Sequence, residues 1–95
     1  MMDIQHIHTG NKGAFIVKID GERLAEMTYT KPAENHMIID HTEVDDKLRG
    51  QNVGQQLVHA AVEFARENNI KITPLCPFAH AVLKKKTEWQ DVLRK

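Results

Sequence analysis

The sequence predicts an α+β domain in which helices pack on a largely antiparallel sheet. Three observations carry that expectation. Apolar stretches of strand length occupy residues 14–19, 23–30 and 36–44, and turn-forming residues rather than long linkers separate them. Residues 53–69 instead repeat their apolar positions near every 3.6 residues, the period of a helix with one buried side. A short apolar stretch, residues 70–73, follows and is stopped by Pro74. Strands in series, then a helix, then one more strand give this class.

Each element has its own local cause. Residues 14–19 alternate weakly and end at Asp20-Gly21, a strong hairpin signal. Residues 23–30 resume as a second strand with Leu24, Ala25, Met27 and Tyr29 as apolar content, and residues 31–35 (Lys-Pro-Ala-Glu-Asn) read as the next turn. Residues 36–44 form a third strand, which completes a meander. In the helix, Val53, Leu57, Ala60, Ala61, Phe64 and Ala65 make the buried stripe, while Gln55, Gln56, His59, Glu63 and Arg66 take the wetter sides. Asn68-Asn69 supplies the stop. Because a helix joins the third strand to the fourth, those two are expected to run parallel through a right-handed crossover. Pro77 suits the first position of another helix, running to about Lys86, since its missing N–H would lack a partner there. A last amphipathic stretch, residues 88–93, sets Trp89 and Leu93 on one side. The whole order is β-β-β-α-β-α.

Composition narrows the function. Ninety-five residues suit one domain spanning 1–95, with 41% hydrophobic and 27% charged residues. Thirteen basic and thirteen acidic residues cancel, which disfavours nucleic acid and anionic membranes as partners. No apolar run is long enough to span a bilayer, and Met1-Met2-Asp3-Ile4 lacks a signal-peptide core, so a cytoplasmic protein is the simplest reading. A single cysteine, Cys76, excludes an intramolecular disulfide and a multi-cysteine zinc site. The chain contains no serine, which removes every serine-nucleophile mechanism. The six histidines show no metal-ligand spacing: His36 and His41 differ by five residues, His6 and His8 lack a third ligand, and no H-E-x-x-H pattern exists. No metal is expected.

The chemistry concentrates in Leu48-Arg49-Gly50-Gln51-Asn52-Val53-Gly54, between the third strand and the helix. A glycine-bearing turn feeding a helix N-terminus aims several N–H groups and the positive end of the helix dipole at one place, a setting for a phosphorylated ligand. Gly50 and Gly54 lack the side chains that would hold a phosphate away. Neither the Gly-Lys-Ser/Thr ending of a P-loop nor the G-x-G-x-x-G of a dinucleotide fold is present. An ordinary loop with a glycine helix start is the plain alternative.

The second feature is Pro74-Leu75-Cys76-Pro77-Phe78. With Pro77 first in the helix, Cys76 is the N-cap, its thiol facing the N–H groups of Phe78 and Ala79, a placement that lowers a thiol pKa. His80 lies in the same turn. A small buried cysteine that only caps a helix is an equal reading. His41 has a pKa suited to a general base, yet it shares a strand face with Met37 and Ile39 unless a bulge intervenes, so a partly buried structural histidine is as good a reading. The Lys84-Lys85-Lys86 run reads first as a solvated helix face and second as an attractor for a phosphate.

Arg49-Gly50-Gln51-Asn52-Val53-Gly54 resembles the Q/R-x-x-G-x-G/A signature of the GNAT superfamily, the acetyl-CoA-dependent N-acetyltransferases, with Asn52 where glycine is usual. Asparagine tolerates left-handed backbone better than other non-glycine residues. Together with His41-Thr42-x-Val44, Pro74-Leu75-Cys76-Pro77-Phe78 and Glu88-Trp89-Gln90-Asp91, the likeness extends over residues 13–93 to the small YjdJ-type GNAT-like family; Trp89 and Thr87 replace its usual tyrosine and proline. The resemblance implies a truncated acetyltransferase with an acetyl-CoA site between the third and fourth strands and Cys76 near the thioester. Pyrophosphate would lie on the backbone of Arg49, Gly50, Gln51, Asn52, Val53, Gly54 and Gln55, and the pantetheine arm would pair beside Thr42 and Val44. The expected activity is acetyl transfer to an unidentified small-molecule or peptide amine, by a monomer or weak dimer. Transfer would be direct, with His41 or water as base, or through acetyl-Cys76. The rivals are a non-catalytic CoA-binding module and an interaction domain with a vestigial loop.

Overall fold

The computed structural model describes residues 3–94; Met1 and Met2, part of the terminus read above for a signal-peptide core, lie outside the described residues. One five-stranded sheet runs in the order β1 (Gln5–Thr9), β2 (Lys12–Ile19), β3 (Glu22–Ala33), β4 (His36–Val44) and β5 (Lys71–Pro74). The first four strands are antiparallel neighbours, and β5 pairs parallel to β4 after the helix α1 (Val53–Glu67). A second helix, α2 (Pro77–Lys85), and a 3-10 segment, Thr87–Val92, close the chain. The expected α+β architecture is the observed one, with a fourth meander strand added. No helix among the described residues is long and apolar enough to cross a membrane.

That added strand, β1, has little hydrophobic signal because Gln5-His6-Ile7-His8-Thr9 offers one aliphatic residue, and Ile7 is exposed. A polar ring docks it instead. His6 stacks on Phe15 at 4.3 Å between ring centroids, meets the edge of Phe64, and lies 2.5 Å from the Tyr29 hydroxyl through Nε2. The expected turn at 31–35 shrinks to Glu34-Asn35, and β3 runs on through Pro32. Proline is tolerated there because the β3–β4 register shifts between Thr30 and Ala33, so no ladder N–H is required of it. The last segment is 3-10, with three residues per turn. Val92 rather than Leu93 therefore joins Trp89 in the core, and Leu93 instead bridges Ile72.

The core lies between one face of the sheet and the helices. Met27, Met37, Ile39 and Ile72 of the sheet meet Leu57, Val58, Ala61, Val62 and Ala65 of α1 and Leu83 of α2, all fully buried. The α1 stripe is centred slightly away from its expected place: Val58 and Val62 are inside, while Ala60 and Phe64 sit at the margin. Both ends of the hairpin logic hold. Asp20 and Gly21 take φ of 52° and 79°, the pair of left-handed residues a tight hairpin demands. At the end of α1, Asn69 is left-handed at φ 55° and Ile70 N–H returns to the Ala65 carbonyl, which closes the helix and aims the chain into β5.

Candidate functional site

The site begins where β4 and β5 part. Their pairing ends at Ile39 and Pro74, because proline has no N–H with which to extend the ladder. The N–H groups of Leu75 and Cys76 both turn to the Ile39 carbonyl, at 2.9 and 3.1 Å, and swing the chain away into α2. β4 continues to Val44 with β3 on one side only, so among the described residues the edge of residues 40–44 facing the gap has no strand beside it. Such an edge pairs with any extended chain that offers amide groups.

Within β4 a bulge decides which side chains face the gap. Thr28 pairs with His41 and Tyr29 with Ile39, leaving Asp40 as the extra residue, and its carboxylate accepts from the hydroxyls of Thr28 and Thr30. Beyond it the alternation inverts. Thr42 and Val44 now continue the face of Met37 and Ile39, toward the helices, while His41 and Glu43 turn to the bare face. His41 is 58% exposed at its side chain, and its Nε2 is 3.3 Å from Glu43. Glu26, cross-strand partner of Glu43, converges on the same spot, with the three potential ligand atoms within 4.8 Å of one another. His41 thus stands apart from Cys76, on the other side of the sheet.

The loop after β4 is held by its own hydrogen bonds. The Asp45 carboxylate accepts from Lys47 N–H at 2.9 Å and starts a 3-10 turn over Asp46–Leu48, whose Leu48 is buried as an anchor. Gly50 follows at φ 84° and Asn52 at φ 60°, ψ 31°, so asparagine does occupy left-handed backbone as the helix opens. The N–H groups of Arg49 and Gln51 are spent internally, on the carbonyls of Asp46 and Leu48. This narrows the expected anion contact. Among the described residues, the N–H groups of Gly50, Asn52, Val53, Gly54 and Gln55 have no protein acceptor, and no side chain caps α1. They border a cleft of roughly 360 Å³ that also takes in Thr42, Val44, Leu48 and Phe78. The Arg49 side chain lies on the surface, paired with Asp46 at 3.0 Å.

Gly54 has a different reason from the one its sequence position suggests. A Cβ there would lie 2.5 Å from Cζ of Phe78, so the missing side chain makes room for that ring. Phe78 itself stays 43% exposed as part of the cleft wall. The sequence motifs contain Phe78 and Leu48 but gave their side chains no role, and only the position of Phe78, two residues beyond the capping cysteine, hinted at one.

Cys76 lies against Thr42, beside the gap. It is the N-cap of α2, in extended backbone, and is only 5% exposed. Its Sγ lies 3.3 Å from Thr42 Oγ1, tying the start of α2 to the open part of β4. Burial alone would push the thiol pKa up. The Thr42 hydroxyl and the N–H groups of Ala79, Phe78 and Thr42 outweigh it, and the net shift is downward. The Phe78 and Ala79 groups act as dipoles facing the sulfur, since none makes a formal capping bond. Thr42 and Cys76 are thus brought together at one end of the gap, with the free N–H groups at the other.

Residues 14–92 match the sequence model of the GCN5-related N-acetyltransferases. The chain belongs to that family. GNAT acetyltransferases use acetyl-CoA, and acetyl transfer is the general activity that membership gives the chain. A GCN5-like protein of Staphylococcus aureus, solved by NMR, is 42% identical and superposes with a TM-score of 0.74 over 99% of this chain and 91% of its own. The protein NATD1 of Gallus gallus is 28% identical over 82 residues, covering 85% of this chain and 74% of its own. A streptothricin acetyltransferase-like protein of Bacillus anthracis, crystallised with acetyl coenzyme A, is 26% identical with a TM-score of 0.57, over 72% of this chain and 40% of its own.

Proposed function

We propose that the chain is an acetyl-CoA-dependent N-acetyltransferase, of the small YjdJ-type branch, whose cofactor lies in the gap between β4 and β5. One observation carries the reading: five N–H groups without acceptors, at Gly50, Asn52, Val53, Gly54 and Gln55, border the same cleft as the unpaired edge of β4. A pyrophosphate meets the first feature. A pantetheine arm, which carries two amides, meets the second by pairing as an extra strand beside Thr42 and Val44. Followed along β4, the thioester end then reaches Thr42 and Cys76.

Two routes deliver the acetyl group. In the direct route a neutral amine attacks the thioester carbon, the carbon–sulfur bond breaks, coenzyme A leaves as thiolate, and the amine proton passes to water or His41. In the covalent route the Cys76 thiolate attacks the thioester carbon first and coenzyme A leaves as thiolate. The amine then attacks acetyl-Cys76, the new carbon–sulfur bond breaks, the amide forms, the Cys76 thiolate is returned and the amine proton passes to water. The lowered thiol pKa and the Thr42 contact favour the covalent route, and His41, exposed on the other face of the sheet, stands away from the thiol. Intact-mass measurement after incubation with acetyl-CoA tests this. One added acetyl group on Cys76, discharged by an added amine, supports the covalent route. Amine acetylation without any adduct, and undiminished in Cys76→Ala, supports the direct one. Binding with neither outcome leaves a CoA-binding module, the reading that the burial of Cys76 would favour.

A further inference from the structure

A second cleft, of roughly 230 Å³, adjoins the first. Asn52, Gln55 and Phe78 line both, but Thr42 and Val44 line only the first, while Lys85 and Lys86 line only the second. Among the described residues no carboxylate lines the second cleft. This contrasts with Arg23, Lys47, Arg49 and Arg66, each of which faces a carboxylate. Among the described residues Lys85 has no such partner, and Lys86 Nζ lies 5.5 Å from the centre of the Trp89 ring, a neutral neighbour.

The following inference rests on the cofactor reading above. The pyrophosphate of coenzyme A stands between two arms, the pantetheine on one side and a ribose bearing a 3′-phosphate on the other. If the pantetheine leaves the α1 N-terminus along β4, the ribose must leave it another way. The second cleft shares Asn52 and Gln55 with the pyrophosphate end and touches nothing of β4. Among the described residues it is also the one wall of the site that carries cations without a carboxylate partner. We propose that Lys85 and Lys86 hold the 3′-phosphate there, so that the protein selects coenzyme A over its 3′-dephospho form. Lys84 provides a control, since it occupies the same helix end and lines neither cleft. A general attraction between this helix end and anions would involve all three lysines.

Calorimetric titration of coenzyme A and 3′-dephospho-coenzyme A tests the assignment. In low salt the wild type should prefer the 3′-phosphorylated form by about tenfold, the scale of two partly exposed charge pairs, and the preference should shrink as salt rises. The double variant Lys85→Gln, Lys86→Gln should bind both forms alike, with its affinity for the dephospho form unchanged. Lys85→Gln alone, which leaves the Trp89 contact intact, should lower the preference part of the way. Lys84→Gln should keep the wild-type ratio. Equal wild-type affinities, or a preference that survives in the double variant, would overturn the assignment while leaving the cofactor site standing. Failure of the wild type to bind either form would remove the cofactor reading and this inference together.

Discussion

Asn52 is the residue on which the proposed anion site turns. It opens α1 at φ 60°, ψ 31°, between Gln51, whose N–H is spent on Leu48, and Val53, whose N–H is free. Left-handed backbone costs an ordinary L-residue about 1–2 kcal/mol, less for asparagine and nothing for glycine. Asn52 makes no side-chain cap bond, so replacing it loses no bond of that kind. Asn52→Gly should therefore be close to neutral in binding, with at most a small loss of stability from added freedom in the unfolded chain. Asn52→Ile should lose about 1–2 kcal/mol, because a β-branched side chain resists this conformation most strongly. That loss divides between two observables. If the loop keeps its shape, the strain lowers stability; if it relaxes, the N–H cluster is dispersed and coenzyme A binds up to about tenfold more weakly, since ~1.4 kcal/mol is a factor of ten. Thermal denaturation and calorimetric titration on the same samples measure both parts. Gly and Ile variants that match in stability and in affinity would refute the idea that this backbone angle builds the site.

Other positions give independent tests. Gly54→Ala places a methyl 2.5 Å from the Phe78 ring and should weaken coenzyme A binding by pushing that ring from the cleft wall; adding Phe78→Ala should restore part of the loss, and an absence of rescue in titration would dismiss the ring contact as the cause. Thr42→Val removes a hydroxyl that favours the thiolate, so the pH profile of Cys76 alkylation should move upward, whereas an unmoved profile would leave the N–H groups and burial in sole control. Cys76→Ala should retain coenzyme A binding and lose the acetyl adduct, because the anion cluster is built by a different part of the chain. His6 gives a pH dependence. Burial, then His8 and Lys31, hold its folded-state pKa below 6.5, so as pH falls the unfolded chain takes the proton first. The stability that β1 docking provides should be intact above about pH 6.5 and decline as pH falls toward the folded-state pKa, and denaturation curves of His6→Phe should lack that decline.

Much of the frame was legible because local chemistry and tertiary structure agree. Asp20-Gly21 names its turn, Asn68-Asn69 stops a helix that Val53 begins, and Pro74 and Pro77 bracket the swing out of β5. The misses share a cause. β1 is held by a histidine among aromatic rings, and a hydrophobic period cannot register a ring that is polar by letter and apolar by contact. Leu93 gave way to Val92 because a pattern of apolar residues does not distinguish a 3-10 segment from an α-helix over six residues.

At the site, the glycine loop and the capping cysteine stood out in the sequence, since turn chemistry and helix starts leave marks of residue type. The bulge at Asp40 left none. It alone separates His41 from Cys76 and turns Thr42 toward the thiol, and it becomes visible only when β4 is paired against β3. Gly54 shows a related limit: a glycine reports that space is needed, but not whether a ligand or Phe78 fills it.

The central claim, that the cofactor's pyrophosphate sits on the free N–H groups at the start of α1, is tested most directly by following backbone amide resonances during titration with coenzyme A. The largest shifts should fall on Gly50, Asn52, Val53, Gly54 and Gln55, with Arg49 and Gln51 moving less because their N–H groups are already bonded within the loop. Saturable binding that leaves those five amides in place and shifts another part of the sheet would contradict it.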